Sequence, residues 1–176
     1  MMNYYAKDNV IQYSYSEKGQ HHIIKDEENQ DSIFVGQIDS DTFCLAVADG
    51  VSSCRWAKKG SLAAVDTICH LAVAISEGTM ESQDIDGIRR YVVRDWKNHF
   101  QSDWNDYGTT LNFAVVHKND LVVGQIGDGL LLLRNGDENI NITDMDEFYS
   151  AETYALSEVV LKSSFNVIYT ERKGTV

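Results

Sequence analysis

Proline is absent from the 176 residues, where average usage of about 5% gives roughly nine, so none of the turns is a proline turn. Long apolar runs are missing as well. None reaches the roughly 18 residues that a membrane span needs, which excludes a spanning helix and makes a soluble protein the expectation. Positive charge is scarce: 15 Lys and Arg stand against 27 Asp and Glu, for a net charge of −12 and a pI near 4.7. Nucleic acid and anionic membranes need clustered cations to displace counterions, so both are excluded as partners. An acidic surface suits metal cations or basic partners, although most such charge is simply solvated. Cysteine is limited to Cys44, Cys54 and Cys69, an odd number without CxxC spacing. The opening "MMNYYAKDNV" has neither the basic nor the apolar region of a signal peptide, so the expected compartment is the cytoplasm. Cys44 and Cys69 sit in apolar patterns and read as core thiols, while Cys54 lies in a loop with no evident base beside it.

What is present is ordinary globular material. Hydrophobic residues make up 43% and charged residues 24%, and the length fits a single domain, residues 1–176. "VIQYSY" (10–15) is rich in β-formers, and "DSIFVGQIDSDTFCLAVADG" reads as a hairpin, strands 32–38 and 42–48 joined by "DSD". From Trp56 the period changes. Leu62, Val65, Ile68, Cys69, Ala72 and Ile75 recur at three- and four-residue steps, predicting a helix that Gly78 can close in a left-handed cap. Ile85, Ile88, Val92, Trp96 and Phe100 predict a second helix over 84–102. "GTTLNFAVVHKNDLVVGQIGDGLLLLRNGDENINIT" holds three apolar runs separated by turn signals, which predicts a meander. Near the end, "DEFYSAETYALSEVVLKSS" reads as partly helical and "FNVIYTE" as a strand. Strand hairpin, helix pair, strand meander: the order gives an α+β domain with antiparallel strands and helices packed outside them.

The stretch "FCLAVADGVSS" ends an apolar strand on Asp49 and Gly50. A carboxylate at the last residue of a buried strand is held by the sheet, and the glycine lets the backbone turn and expose its carbonyl oxygen. Together they make a hard oxygen pair for Mg²⁺ or Mn²⁺. "ENQDSIFV" puts Asp31 before a strand, and "GQIGDGLLLL" puts Asp128 in a glycine-flanked turn. Any one of these is also explained as a turn aspartate capping local amides. Three at strand ends that share one sheet edge fit a cation, which needs converging oxygens.

"NQD", "VADGVSS", "GTTL" and "GQIGDG", in that order and around a helix pair, resemble the metal-dependent serine/threonine phosphatases of the protein phosphatase type 2C family, in particular its bacterial branch, over roughly residues 19–134. The resemblance implies a four-layer αββα sandwich of two antiparallel sheets flanked by helices, with a two-metal site (Mn²⁺ or Mg²⁺) at one end. It implies attack of a metal-activated water on phosphoserine or phosphothreonine in proteins. By the same resemblance Asp49 is the bridging carboxylate, Gly50 lends a backbone oxygen, and Asp31 or the amide of Gln30 supplies an outer ligand. Asp31 and Asp49 are thus the catalytic pair. Asp128 matches an aspartate associated with an additional metal, and Gly108–Thr110 is structural. A phosphoprotein substrate is implied, with a cognate Ser/Thr kinase as a further partner.

The departures define a second reading. Where many members carry a phosphate-binding arginine, this sequence has Asp26, leaving Lys25, His21 and His22 as sources of positive charge or of a general acid; each also reads as an exposed polar residue. The family's later metal-binding "TDG" and "DN" motifs are not found, and Asp137, Glu138, Asp144, Asp146 and Glu147 read as a solvated loop. The expectation is a domain incomplete at its C-terminus that self-associates through exposed sheet edges. The alternative function is a catalytically impaired phosphatase-fold module that binds a protein partner.

Overall fold

The structure, a computed structural model, describes residues 2–7, 10–24, 28–141, 143, 154–160 and 162–172. It begins with an antiparallel hairpin of β1 (Met2–Lys7) and β2 (Val10–Tyr15), followed by the short helix α1 (Gln20–Ile24). The predicted hairpin is β3 (Asp31–Gln37) and β4 (Thr42–Asp49), closed by Ile38 N–H donating to the Thr42 carbonyl at 2.8 Å. Along β4 buried and accessible residues alternate, so Cys44, Ala46 and Ala48 face one way and Leu45, Val47 and Asp49 the other.

Two helices come next: α2 (Ala57–Ser76) and α3 (Ile85–Asn98). Gly78, at φ +73°, closes α2 as the sequence predicts. Asp84 caps α3 by accepting from the Gly87 N–H at 2.8 Å. This helix stops four residues short of the predicted end. Phe100 continues the apolar spacing but does so from outside the helix, stacked on Tyr107 at 3.8 Å between ring centres.

The strands after the helices are β5 (Leu111–His117), β6 (Asp120–Ile126), β7 (Leu132–Asn135), β8 (Glu138–Asn141) and β9 (Phe165–Glu171). The five-stranded antiparallel sheet has the order β3-β4-β5-β6-β9. A continuous meander is therefore not what forms: β7 and β8 pair only with each other, around Gly136 at φ +63°, and β9 takes the place beside β6. Asp137 and Glu138 belong to that hairpin rather than to a loop, whereas Asp144, Asp146 and Glu147 lie outside the described residues. Of the segment read as partly helical, residues 146–153 and 161 also lie outside them, 154–160 are not helical, and Lys162–Ser164 form one 3₁₀ turn.

The core lies between the sheet and the helices. Ala64, Ile68, Leu71 and Ala72 of α2 pack with Ile88, Val92 and Trp96 of α3 on Ala46, Ala48, Leu111, Phe113 and Phe165. Alanines on both α2 and β4 let the helix lie close to the strand. Trp96 is fully buried, and its indole N–H donates to the Gly60 carbonyl at 3.1 Å. Cys44 is buried and Cys69 is packed against the same core, as expected. The hydrogen bond to Cys69, with burial, pushes the Cys44 thiol far above the ordinary range.

The other face of the sheet carries the two hairpins. Leu131 and Leu133 pack on Leu121, Val123 and Ile168. At the opposite side, Tyr13, Ser14 and Tyr15 of β2 line a groove of about 450 Å³ with Ile33, Val35, Leu45 and Val47. The class is the α+β one expected, an antiparallel sheet flanked by two helices; among the described residues the second layer of strands consists of these hairpins.

Candidate metal centre

The sheet register brings two of the three predicted aspartates together. Asp31 opens β3, Asp49 closes β4, and the two are direct cross-strand partners. Direct partners project to the same face with Cβ atoms about 4.5–5.5 Å apart. Alternation puts that face on the side of Leu45 and Val47, away from the helices.

Each backbone is held from several directions. Asp31 receives the Ser16 hydroxyl on Oδ2 at 3.1 Å, and its N–H donates to Asn29 Oδ1 at 3.0 Å. Lys58, in the first turn of α2, donates to the Asp31 carbonyl at 2.5 Å and to Ser32 Oγ at 3.1 Å. Ser61, one turn on, donates to the Gln30 carbonyl at 2.5 Å. The Asp49 carbonyl accepts from the Thr110 N–H at 2.8 Å and from Thr109 Oγ1 at 2.9 Å, while the Asp49 N–H donates to Thr110 Oγ1 at 3.1 Å. The "GTT" stretch thus grips the peptide units on both sides of the aspartate. Gly50 has no room for a side chain, because a Cβ would lie 2.6 Å from the Ala57 carbonyl oxygen.

Asp128 follows β6 at the same edge, in a turn whose flanking glycines have φ of +93° (Gly127) and +118° (Gly129). It is exposed, with β5 between it and β4. It does not form a tight trio with Asp31 and Asp49: among the described residues the three-residue group with ligand atoms inside 4.8 Å lies elsewhere. Of the residues predicted for phosphate, His21 and His22 are in α1, and Lys25, like Asp26, lies outside the described residues.

Sequence reasoning overlooked two further residues. Asn112 of β5 is the partner of Val47, two residues before Asp49 on the same face of β4, and of Gln125 in β6. Asn112 Oδ1, Gln125 Oε1 and Gln30 Oε1 are buried without a hydrogen-bond partner. Orphaned buried oxygens are rare and call for an explanation such as an ion or water. The signal in the sequence was a single polar letter at the outward position of each apolar strand, "TLNFAVV" and "VVGQIG". Carboxylate, carbonyl and amide oxygens form a hard donor set, so the residues present fit Mg²⁺ or Mn²⁺.

The family model described as Protein phosphatase 2C matches residues 18–175. The chain belongs to that family. Protein phosphatase 2C members are protein serine/threonine phosphatases, and this member shares their fold with several solved structures. RsbX in complex with magnesium is 17% identical with a TM-score of 0.66, over 98% of this chain and 73% of that one. The serine/threonine phosphatase Stp1 from Staphylococcus aureus is 16% identical with a TM-score of 0.61, over 90% and 70%. The catalytic domain of the serine threonine protein phosphatase PstP, in complex with 2 manganese ions, is 21% identical with a TM-score of 0.53, over 83% and 67%. No curated protein matches the sequence.

A groove of about 690 Å³ lined by Arg89, Arg90, Arg94 and Lys97 runs along α3. It belongs to the helix layer, on the opposite face of the sheet from the paired aspartates.

Proposed function

We propose that this phosphatase removes phosphate from phosphoserine and phosphothreonine side chains of proteins at the edge formed by Asp31 and Asp49, with Mn²⁺ or Mg²⁺. The observation that carries the reading is their direct pairing across β3 and β4, at the end of a face where amide oxygens are buried without partners. Two like charges directly opposed in a sheet cost stability, and a dication reverses the sign of that interaction.

Asp49, the Gly50 carbonyl and Asp31 would hold the cation, with Gln30, Asn112 and Gln125 as neutral oxygens nearby. When bound, such a cation supplies an acidified water and neutralises charge on the phosphoryl oxygens. The protein's own part is orientation. Thr109 and Thr110 fix the Asp49 peptide, and Lys58 and Ser61 fix the start of β3, so neither carboxylate has to reorganise when charge develops. By the family resemblance Asp128 would be an accessory ligand of a further ion, and Lys25 and His22 would supply positive charge for the substrate phosphate. The natural substrates are cytoplasmic phosphoproteins opposed by a Ser/Thr kinase.

One observation favours the second reading, a partner-binding module. Leu45 and Val47 remain 38% and 42% exposed between the two hairpins, an apolar strip that suits self-association or a protein partner. Hydrolysis of a phosphothreonine peptide with and without Mn²⁺, by the wild type and Asp49→Asn, decides between them. Activity that requires Mn²⁺ and falls at least about 100-fold in the variant supports the enzyme. A folded protein without activity at any metal concentration supports the module.

A further inference from the structure

The helix layer carries a second group of ligating side chains, unrelated to the strand-end carboxylates. Asp66 and His70 on α2, and Asp95 on α3 with His99 as its C-terminal cap, are each spaced i, i+4 and therefore lie on one face of their helix. Packing of α2 against α3 brings three of the four together. His70 Nδ1 is 2.9 Å from Asp95 Oδ2, and His99 Nε2 is 3.9 Å from the same oxygen. The two imidazoles are stacked, with centroids 5.9 Å and planes 7° apart. One ligand atom from each of His70, Asp95 and His99 lies within 4.8 Å of the others, and His99 and Asp66 line the same groove of about 510 Å³.

We propose that His70, Asp95 and His99 form a binding site for a borderline transition-metal dication, Zn²⁺ being the type case, with water in the fourth position. Tetrahedral ligands about 2.0–2.1 Å from zinc sit about 3.3 Å from one another. The two separations from Asp95, 2.9 and 3.9 Å, lie on either side of that value, and all three ligand atoms lie within 4.8 Å of one another. Imidazole donors select Zn²⁺, Ni²⁺ or Cu²⁺ over Mg²⁺ and Ca²⁺, which take oxygen. The open groove leaves the fourth position to water, and Asp66 adds negative charge at its rim. The two sites differ in donor chemistry and lie on opposite faces of the sheet. Zinc here acts as a clip between α2 and α3.

The test uses the whole untagged chain and metal ions alone. CoCl₂ is expected to give the visible d–d bands of a four-coordinate nitrogen–oxygen site, displaced by ZnCl₂, and Zn²⁺ is expected to raise the thermal midpoint. His70→Gln and His99→Gln should each lose the cobalt bands and weaken zinc binding at least about tenfold. Asp95→Asn keeps an acceptor for His70 and should weaken zinc in the same way, with circular dichroism confirming the fold of all three. Asp49→Asn should keep the bands, which separates this site from the strand-end one. Saturable zinc binding that survives in the double variant His70→Gln/His99→Gln, or wild-type protein with neither cobalt bands nor zinc binding below millimolar concentration, overturns the proposal.

Discussion

Asp31 and Asp49 stand directly opposite each other across β3 and β4, two carboxylates at the same rung of one ladder. Like charges so placed cost roughly 0.2–1 kcal/mol. Asp49→Asn is therefore expected to act in opposite directions with and without metal. In chelator the variant should melt at or above the wild type; with Mn²⁺ it should melt below it, because the wild type alone gains from binding. Thermal melts in both conditions check the sign, and a variant equally stabilised by Mn²⁺ would remove Asp49 from the site.

The threonines that grip Asp49 are expected to matter for alignment. Thr109 is fully buried and its hydroxyl donates to the Asp49 carbonyl. Thr109→Val keeps the shape and removes that donor, at a cost of about 1–3 kcal/mol. Phosphatase activity should fall by more than the loss of folded protein explains, read as kcat at saturating Mn²⁺ on protein shown to be folded.

Gly60 is expected to tolerate no side chain. Its added Cβ would come 1.7 Å from the Tyr107 carbonyl oxygen, and its own carbonyl accepts from Trp96. Gly60→Ala should lower stability by about 1–3 kcal/mol or more through forced separation of α2 from the 104–107 turn. The urea midpoint measures it, and an unchanged midpoint would contradict the close approach.

Ser76 donates a short hydrogen bond to Asp39, which, with the Asp41 N–H, holds that carboxyl below its ordinary value of 3.8. A depressed carboxylate contributes stability that is present above its unfolded pKa and lost as pH falls through its folded one. The window thus lies below about 4. Ser76→Ala should therefore lower the thermal midpoint slightly above that window, where the contribution is present, and converge on the wild type as pH falls through it; the difference is small because Asp39 is solvated.

Much of this was legible locally. Alternation and the "DSD" turn placed β3 and β4 within a residue of their bounds, three- and four-residue spacing placed α2 and α3, and "FNVIYTE" is the whole of β9. What failed depended on distant pairing. Nothing in "GLLLLRNGDENIN" says that β7 and β8 leave the sheet, because the strand that displaces them from β6 lies some thirty residues on. Phe100 extended the helix pattern by one turn too many because its ring, not its backbone, still belongs to the core. At the site, strand-end aspartates were visible as chain punctuation. Asn112 and Gln125 were hidden because one polar residue in an apolar strand acquires meaning only beside its neighbours, and Asp128 shares the edge without sharing the contact. His70, Asp95 and His99 needed the orientation of two helices, which no spacing within either one provides.

Lys58 and Ser61 hold the carbonyls of Asp31 and Gln30 from the first two turns of α2, and Trp96 of α3 is fastened to Gly60 in the same turns. The helix layer is in this sense a tensioning frame for the strand edge: a disturbance that slackens α3 pulls Asp31 out of true with Asp49 while leaving every atom of both carboxylates unaltered. Damage far from the carboxylates would then be felt first as lost alignment, before it is felt as lost structure.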